Sequence, residues 1–390
     1  MFMVSCKSIY EPREDSTMLE KHVRQYTKGK VLDIGTGSGI QAIAAAQNKN
    51  VKSVLATDIQ KEVVEYCKKN IKNKKIRFLQ SDLFDNVKDR FETIIFNPPY
   101  LPQELKLKDL TIEGGKKGYE VIERFLNNVN NFLKPDGTIL IVFSSLTKKE
   151  KVGEFIKNNL LDFKELEKMH IFFEDIHIYL LKKNKFLKKL ESKRIKSIKY
   201  LTKGHRGLLF TGFYKNKKVA IKTKNPQSTA VGRIENEVKW LKKLNMHKIG
   251  PKLLFGEKDY FVYEFIDGDF IVDYLEKASK QAAKKIIKKI FNQLLILDKS
   301  KIDKEEMHHP IKHVIVNNKN NACLLDFERA HYAQSPKNVT QFCQFLISGK
   351  LYYILKTKNI SINKNKMINL AKVYKNKQNN SNFKKIIDAI

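Results

Sequence analysis

Val31-Leu32-Asp33-Ile34-Gly35-Thr36-Gly37-Ser38-Gly39 links a short apolar run, Lys30 to Ile34, to a run of small residues, Ile40 to Gln47. The first reads as a buried strand and the second as a helix, with three alternating glycines in the turn between them. Glycine tolerates the positive φ such a turn needs, and its missing side chain lets a ligand come close to the backbone. A dinucleotide fingerprint would put its third glycine at position 40, which is Ile40, so the expected cofactor carries no pyrophosphate. Asp58 closes a second apolar run, Val54 to Thr57, where an acidic side chain can accept both ribose hydroxyls. Asp82 follows a third run, Ile76 to Gln80, where a strand end meets an adenine ring. Either carboxylate alone also reads as a helix cap.

A fourth run ends in Ile94-Ile95-Phe96-Asn97-Pro98-Pro99-Tyr100. The Asn97 side chain offers a carbonyl acceptor and an amide donor, and the Pro98 carbonyl offers a second acceptor, which suits a primary amide or an exocyclic amine. The lone pair of such a nitrogen is delocalised, so it must be held in line with its electrophile. Good alignment is worth roughly 7–11 kcal/mol. Proline stiffens the corner, and Tyr100 presents a flat face to a planar acceptor. Without the upstream motifs, the same residues read as an Asn-Pro turn ending a strand.

Strands over 30–35, 53–57, 76–80, 92–96 and 137–144 alternate with helices near 39–47, 60–72, 119–133 and 147–158. This predicts an α/β fold with a parallel, doubly wound, Rossmann-like sheet. The motif residues then fall at strand carboxyl ends, where open α/β sheets bind ligands. Residues 165–182 read as a final hairpin, with His170 and His177 as ordinary strand residues.

These segments together resemble the class I S-adenosylmethionine methyltransferases, and Asn97-Pro98-Pro99-Tyr100 narrows the likeness to the HemK/PrmC glutamine methyltransferases and their adenine-N6 relatives. Tyr10-Glu11-Pro12-Arg13-Glu14-Asp15-Ser16 is similar to the opening of the short archaeal and eukaryal HemK branch. Glu113-Gly114-Gly115-Lys116-Lys117-Gly118 and the helix from Val121 to Leu126 resemble a Gly-Gly-x-x-Gly stretch of that branch. About nine residues precede the opening, which leaves no room for the helical substrate domain of the bacterial enzymes. The resemblance implies S-adenosylmethionine as cofactor, bound by Asp33, Gly35, Thr36, Gly37, Gly39, Asp58, Asp82 and Asn97. It implies catalysis by Asn97, Pro98, Pro99 and Tyr100 on the Gly-Gly-Gln glutamine of a class 1 translation release factor, with a small zinc-binding activator subunit as partner. The rival acceptor is adenine N6 in DNA or RNA, although residues 1–183 hold nothing like a target-recognition domain.

The 390 residues exceed what one core comfortably serves, so two domains are expected. The formal net charge is +33, which admits nucleic acid as a partner through a basic surface. Only nine of the 75 basic residues are Arg, however, so a general bias toward Lys explains the charge as well. Runs such as Lys72 to Lys75 and Lys182 to Lys189 are then solvated faces. Cys6, Cys67, Cys323 and Cys343 lack CxxC spacing, which points to neither zinc nor a disulfide framework and fits a reducing cytoplasm. No apolar run is long enough for a membrane helix, so no membrane partner is expected.

A charged connector between Lys182 and Ser197 separates a second unit. Lys203-Gly204-His205-Arg206-Gly207, Val219-Ala220-Ile221-Lys222, a helix carrying Glu235 and Glu237, and Phe261-Val262-Tyr263-Glu264-Phe265-Ile266 follow in order. Leu324-Leu325-Asp326-Phe327-Glu328 comes later. This sequence of parts resembles the RIO-like predicted archaeal Ser/Thr kinases. The likeness implies a C-terminal α+β protein-kinase-like domain that binds ATP and Mg through Gly204, Gly207, Lys222, Glu237 and Asp326, with Asp326 as the metal ligand. Glu237 suits the pairing with Lys222 better than Glu235, because it leads into apolar Trp240, Leu241 and Leu244. The catalytic loop departs from the pattern: His308 stands where the Asp base belongs and His313 where the metal-binding Asn belongs. A docking module is therefore the alternative to phosphoryl transfer, and His308, His309 and His313 share no standard zinc spacing. The expected limits are a methyltransferase domain over 1–183, a linker over 184–195, the kinase-like domain over 196–355, and a Lys/Asn-rich tail over 356–390 with short helices and a loose end.

Overall fold

The computed structural model describes residues 11–101, 114–171, 173–204, 207–225 and 232–390. Cys6, Tyr10, Glu113, His205 and Arg206, named above, lie outside them. The chain divides into two compact units, residues 1–200 and 201–390.

The first unit opens with α1 (Glu14–Tyr26) and continues with β1 (Gly29–Ile34), α2 (Ile40–Gln47), β2 (Val51–Asp58), α3 (Lys61–Asn70), β3 (Ile76–Gln80) and β4 (Phe91–Phe96). It ends with α4 (Glu120–Val129), β5 (Leu133–Ser144), α5 (Lys149–Asn158), β6 (Leu161–Ile171), β7 (Glu174–Lys183) and α6 (Lys185–Ser192). Seven strands form one sheet in the order β3-β2-β1-β4-β5-β7-β6. The first five are parallel, while β7 runs antiparallel to β5 and β6 antiparallel to β7. This is the doubly wound sheet that the sequence predicts, with its terminal hairpin. The order reverses at β1, next to β4, and opens a crevice at the carboxyl ends of both.

Central strands are apolar on both faces, as helices on both sides require. Leu32, Ile94, Ile139 and Ile141 pack on α4 and α5 through Phe125, Leu126, Val152 and Ile156. Val31, Ile95, Leu140 and Val142 pack on α1 and α2 through Leu19, Val23, Ala42 and Ala45.

Sequence periodicity gave no sign of α1. Its inner face carries Asp15, Ser16 and His22 beside Met18, Leu19 and Val23, so the apolar stripe is broken by polar residues that find partners inside the fold. Two other expectations are corrected. The connector folds as α6 with Leu187 and Leu190 buried, and Lys183 is not on a solvated face. Its ammonium lies 2.6 Å from Glu191 and donates at 3.0 Å to the Asn130 carbonyl.

The second unit carries a five-stranded sheet in the order β11-β12-β10-β9-β8, made by β8 (Lys196–Lys203, across the boundary), β9 (Gly207–Tyr214), β10 (Lys217–Lys224), β11 (Leu253–Gly256) and β12 (Tyr260–Glu264). Helix α7 (Arg233–Leu244) precedes β11. Then come β13 (Gly268–Phe270), α8 (Ile271–Lys277), α9 (Lys280–Lys299), β14 (Ile302–Asp303), β15 (Val314–Asn317), β16 (Ala322–Leu324) and β17 (His331–Tyr332). Four helices close the chain: α10 (Asn338–Leu346), α11 (Gly349–Thr357), α12 (Lys364–Asn376) and α13 (Asn380–Asp388). The tail is not loose: Met367, Tyr374, Phe383, Ile386 and Ile390 are buried in the core of this unit. Tyr374 donates its hydroxyl proton to Asp298 at 3.1 Å, and Asp298 also receives the Asn338 amide at 2.8 Å. Among the described residues, no helix is long and apolar enough to cross a membrane.

Candidate active site

The turn after β1 has positive φ at Gly35 (66°), Gly37 (51°) and Gly39 (83°), and Gly39 caps α2. A Cβ on Gly39 would lie 2.4 Å from Ile71 Cδ1, so the residue that ends α3 holds the turn from behind. A Cβ on Gly35 would meet only the Asn97 carbonyl, at 4.0 Å, and otherwise open space. That open side belongs to a cavity of about 370 Å³ whose wall includes Asp58, Asp82, Asn97 and Tyr100.

Two carboxylates brace the turn. Asp33 is buried and receives the Thr36 hydroxyl proton at 2.6 Å. Burial pushes its acid up to about 7, against the Thr36 bond that lowers it, and nearby Asp58 pushes the same way as burial. Asp33 and Thr36 are thus parts of the turn's frame, while Asp58 stands on the cavity wall. Asp58 accepts the backbone N–H of Gly37 at 3.1 Å through Oδ2 and that of Gln60 at 3.0 Å through Oδ1. Burial raises its acid as well, and those N–H groups oppose the rise. Asp82 is partly exposed, with Oδ2 2.7 Å from the Arg124 guanidinium of α4, a partner the sequence alone does not supply.

The corner after β4 is gripped from two directions. Asn97 donates through Nδ2 to Asp15 Oδ2 at 3.0 Å and to Ser16 Oγ at 3.3 Å. Tyr100 donates its hydroxyl proton to the same Asp15 oxygen at 3.3 Å. The amide donor of Asn97, expected to meet a substrate, is therefore engaged within the fold. Asn97 lines the cavity, and its Oδ1 is buried and accepts nothing among the described residues. Asp15 and Ser16 are only 4% and 2% exposed, so this grip is part of the interior.

The second grip explains the glycines before α4. Gly114 donates to the Leu101 carbonyl at 2.9 Å and accepts from Val121 N–H at 3.2 Å. A Cβ on Gly114 would fall 2.6 Å from the Pro99 carbonyl and 2.2 Å from that of Gly118. Gly115 and Gly118 take φ of 110° and 82°. Only glycine allows this loop to lie against the Pro98-Pro99 backbone.

The cavity suits S-adenosylmethionine: a side-chain-free turn, a carboxylate at the end of β2, and an unsatisfied carbonyl beside them. Pro98 and Pro99 line it together with Tyr100. The predicted site residues of this unit therefore converge on one crevice, Asp33 and Gly39 from behind it.

In the second unit, Lys222 of β10 places its ammonium 2.6 Å from Glu237 of α7, 3.2 Å from Asp326 and 3.9 Å from Glu328. Burial would discharge Lys222, but these carboxylates outweigh it and hold the ammonium well above its ordinary range. Glu237 is buried and also accepts the Phe327 N–H at 3.3 Å, whereas Glu235 is exposed. Asp326 takes a positive φ of 63°. Glu237, Asp326 and Glu328 each bring one oxygen within 4.8 Å of the others. His313 Nε2 lies 3.6 Å from Glu306 and 4.0 Å from Asp326, and His308 is exposed. Gly204 donates its N–H to the Gly207 carbonyl at 2.8 Å.

Residues 11–173 match the family described as Methyltransferase small domain. A putative protein N5-glutamine methyltransferase of Methanocaldococcus jannaschii is 40% identical over 154 residues, 37% of this chain and 78% of that protein. A release factor glutamine methyltransferase of Streptococcus pneumoniae is 31% identical over 127 residues, 30% of this chain and 46% of its own length. The chain thus spans less than half of that bacterial relative. Among solved structures, an E. cuniculi complex described as responsible for methylating the eRF1 termination factor is similar at 24% identity and a TM-score of 0.38, covering 45% of this chain and 99% of that one. With an archaeal relative matched over most of its length, this chain belongs through its first unit to the protein N5-glutamine methyltransferases, enzymes that use S-adenosylmethionine.

Proposed function

We propose that the first unit methylates the side-chain nitrogen of the glutamine in the Gly-Gly-Gln loop of a class 1 translation release factor. The observation that carries this reading is the divided amide of Asn97, a residue of the cavity wall: its donor is spent on Asp15 and Ser16, and its carbonyl has no partner among the described residues. A primary amide brings two N–H groups, one for Asn97 Oδ1 and one for the Pro98 carbonyl. Tyr100, fixed by its hydroxyl on Asp15, packs on the plane of the acceptor. S-adenosylmethionine, when bound, supplies an electrophilic methyl group. The residues of the corner hold the acceptor nitrogen so that its lone pair points along the line of displacement. No strong base is needed before attack, because the methylated nitrogen is acidic and releases its proton to water.

The names of the bacterial relatives support the release-factor acceptor. Resemblance to the short HemK branch supports a small zinc-binding activator, a cytoplasmic setting and an archaeal origin. Radiolabelled cofactor, release factor and this protein, incubated together, test the acceptor. Label that persists after the acceptor Gln is replaced would sink it.

For the second unit we propose a nucleotide site of the kinase-like type, with ATP and Mg as ligands and Asp326 as metal ligand. The ion cluster joining Lys222 to Glu237 and Asp326 supports it. The exposed His308 at the position of the base favours binding over transfer. Binding of a fluorescent ATP analogue should be lost in Asp326→Asn; equal binding by the variant and the native protein refutes the assignment.

A further inference from the structure

Glu174 opens β7 and lies on the wall of the same cavity, flanked by Ile171 and Ile176, which share a cluster with Tyr100. Its carboxylate oxygen Oε2 is buried and has no hydrogen-bond partner among the described residues. The neighbouring acid is satisfied: Asp175 meets Lys168 at 2.8 Å and His170 at 3.0 Å. Three other acids of the crevice have partners: Gly37 and Gln60 for Asp58, Arg124 for Asp82, and Asn97 and Tyr100 for Asp15. A carboxylate oxygen withdrawn from water with no donor is costly, and an occupant carrying N–H groups removes that cost.

Strand order says which occupant. Along the sheet edge the cofactor features sit at the ends of β3, β2 and β1, and the Asn97 corner follows at β4. Strand β7 lies two places beyond β4, and because it is antiparallel to β5 its first residue falls on the same edge. Glu174 is therefore on the far side of Asn97 from the glycine turn. We propose that Glu174 is an acceptor-recognition residue that takes backbone N–H groups of the polypeptide flanking the target glutamine, an inference that rests on the protein-glutamine reading above. Glycines beside the target suit it, since without side chains their N–H groups can approach a recessed carboxylate.

Steady-state methylation of the release factor by native protein, Glu174→Gln and Glu174→Ala, with the Kd of S-adenosylhomocysteine for each, is the test. The expected result for Glu174→Ala is a KM for the acceptor raised at least about tenfold, the loss of a charge-assisted bond, with kcat and the cofactor-product Kd changed less than about threefold. Glu174→Gln, which keeps the shape and one acceptor, should fall between. An acceptor peptide with an ester in place of the flanking glycine amide should lose affinity for native protein and lose nothing further for Glu174→Ala. An unchanged KM overturns the inference alone, and so does a Kd weakened in parallel, which would assign the carboxylate to the cofactor's ammonium. Native protein that leaves glutamine unmodified overturns the acceptor reading itself.

Discussion

Asp15 and Asn97 are joined by a 3.0 Å hydrogen bond across 82 positions of sequence, and the same Asp15 oxygen receives the Tyr100 hydroxyl. Because the carboxylate accepts only, it fixes which half of the Asn97 amide is left without a partner. Asp15→Asn removes that instruction while keeping the size. The expected outcome is a fall in kcat of about 10- to 100-fold, the loss of a bond to a charged group, with cofactor affinity changed less than about threefold. Single-turnover methylation and calorimetry with S-adenosylhomocysteine separate the two quantities.

Gly114→Ala should be more damaging than a surface glycine change. The added carbon meets backbone carbonyls of Pro99 and Gly118 at 2.6 Å and 2.2 Å, and backbone cannot rotate aside. A loss of about 1–3 kcal/mol in stability is expected from overpacking, with activity reduced further as the corner shifts. Urea unfolding and methylation rate are the measurements; full activity with native stability would contradict the described packing.

Asp33 makes stability depend on pH. Its folded acid stands at about 7, above the ordinary 3.8, so the fold favours its protonated form. That contribution is complete below about pH 4 and is lost as pH rises through about 7. Asp33→Asn keeps an acceptor for Thr36 and cannot ionise. Relative to the native protein, the variant should gain stability as pH rises from about 4 to about 7, by up to a few kcal/mol, since each tenfold change in an acid's dissociation constant on folding is worth about 1.4 kcal/mol. Thermal midpoints of both proteins across that range give the comparison, and parallel curves would refute it.

Lys222→Met should destabilise the second unit by about 3–5 kcal/mol, because it removes the ammonium that Glu237 and Asp326 share. Lys222→Met combined with Glu237→Gln should recover part of the loss. Calorimetric unfolding with limited proteolysis of the second unit reports the effect.

The glycine turn, Asp58 and the proline corner were legible because each sits at the end of an apolar run, where the chain's own alternation puts a strand end. The grip on Asn97 was not. Asp15 looks like a first-turn acid of a helix, and only the fold brings it beside residue 97; the Tyr10 to Ser16 resemblance marked the segment without giving its partner. Arg124 likewise reads as a surface charge on α4 until the fold sets it against Asp82. Lys183 and the α12–α13 tail misled in the other direction. A lysine-rich stretch hides its few apolar anchors, so Leu187, Leu190, Tyr374 and Ile386 were outvoted by their neighbours although they decide where the backbone goes.

Because Asp15 lies in the first turn of α1, docking of the opening helix and catalytic competence are one event. Asp15→Ala, which leaves the apolar face of α1 packed on the sheet, would keep the glycine turn and Asp58, yet its acceptor grip would be free to rotate. Chemistry at residue 97 is thus licensed by a carboxylate that acts through another side chain, and a tag or fusion pulling on that end would act as a brake on turnover.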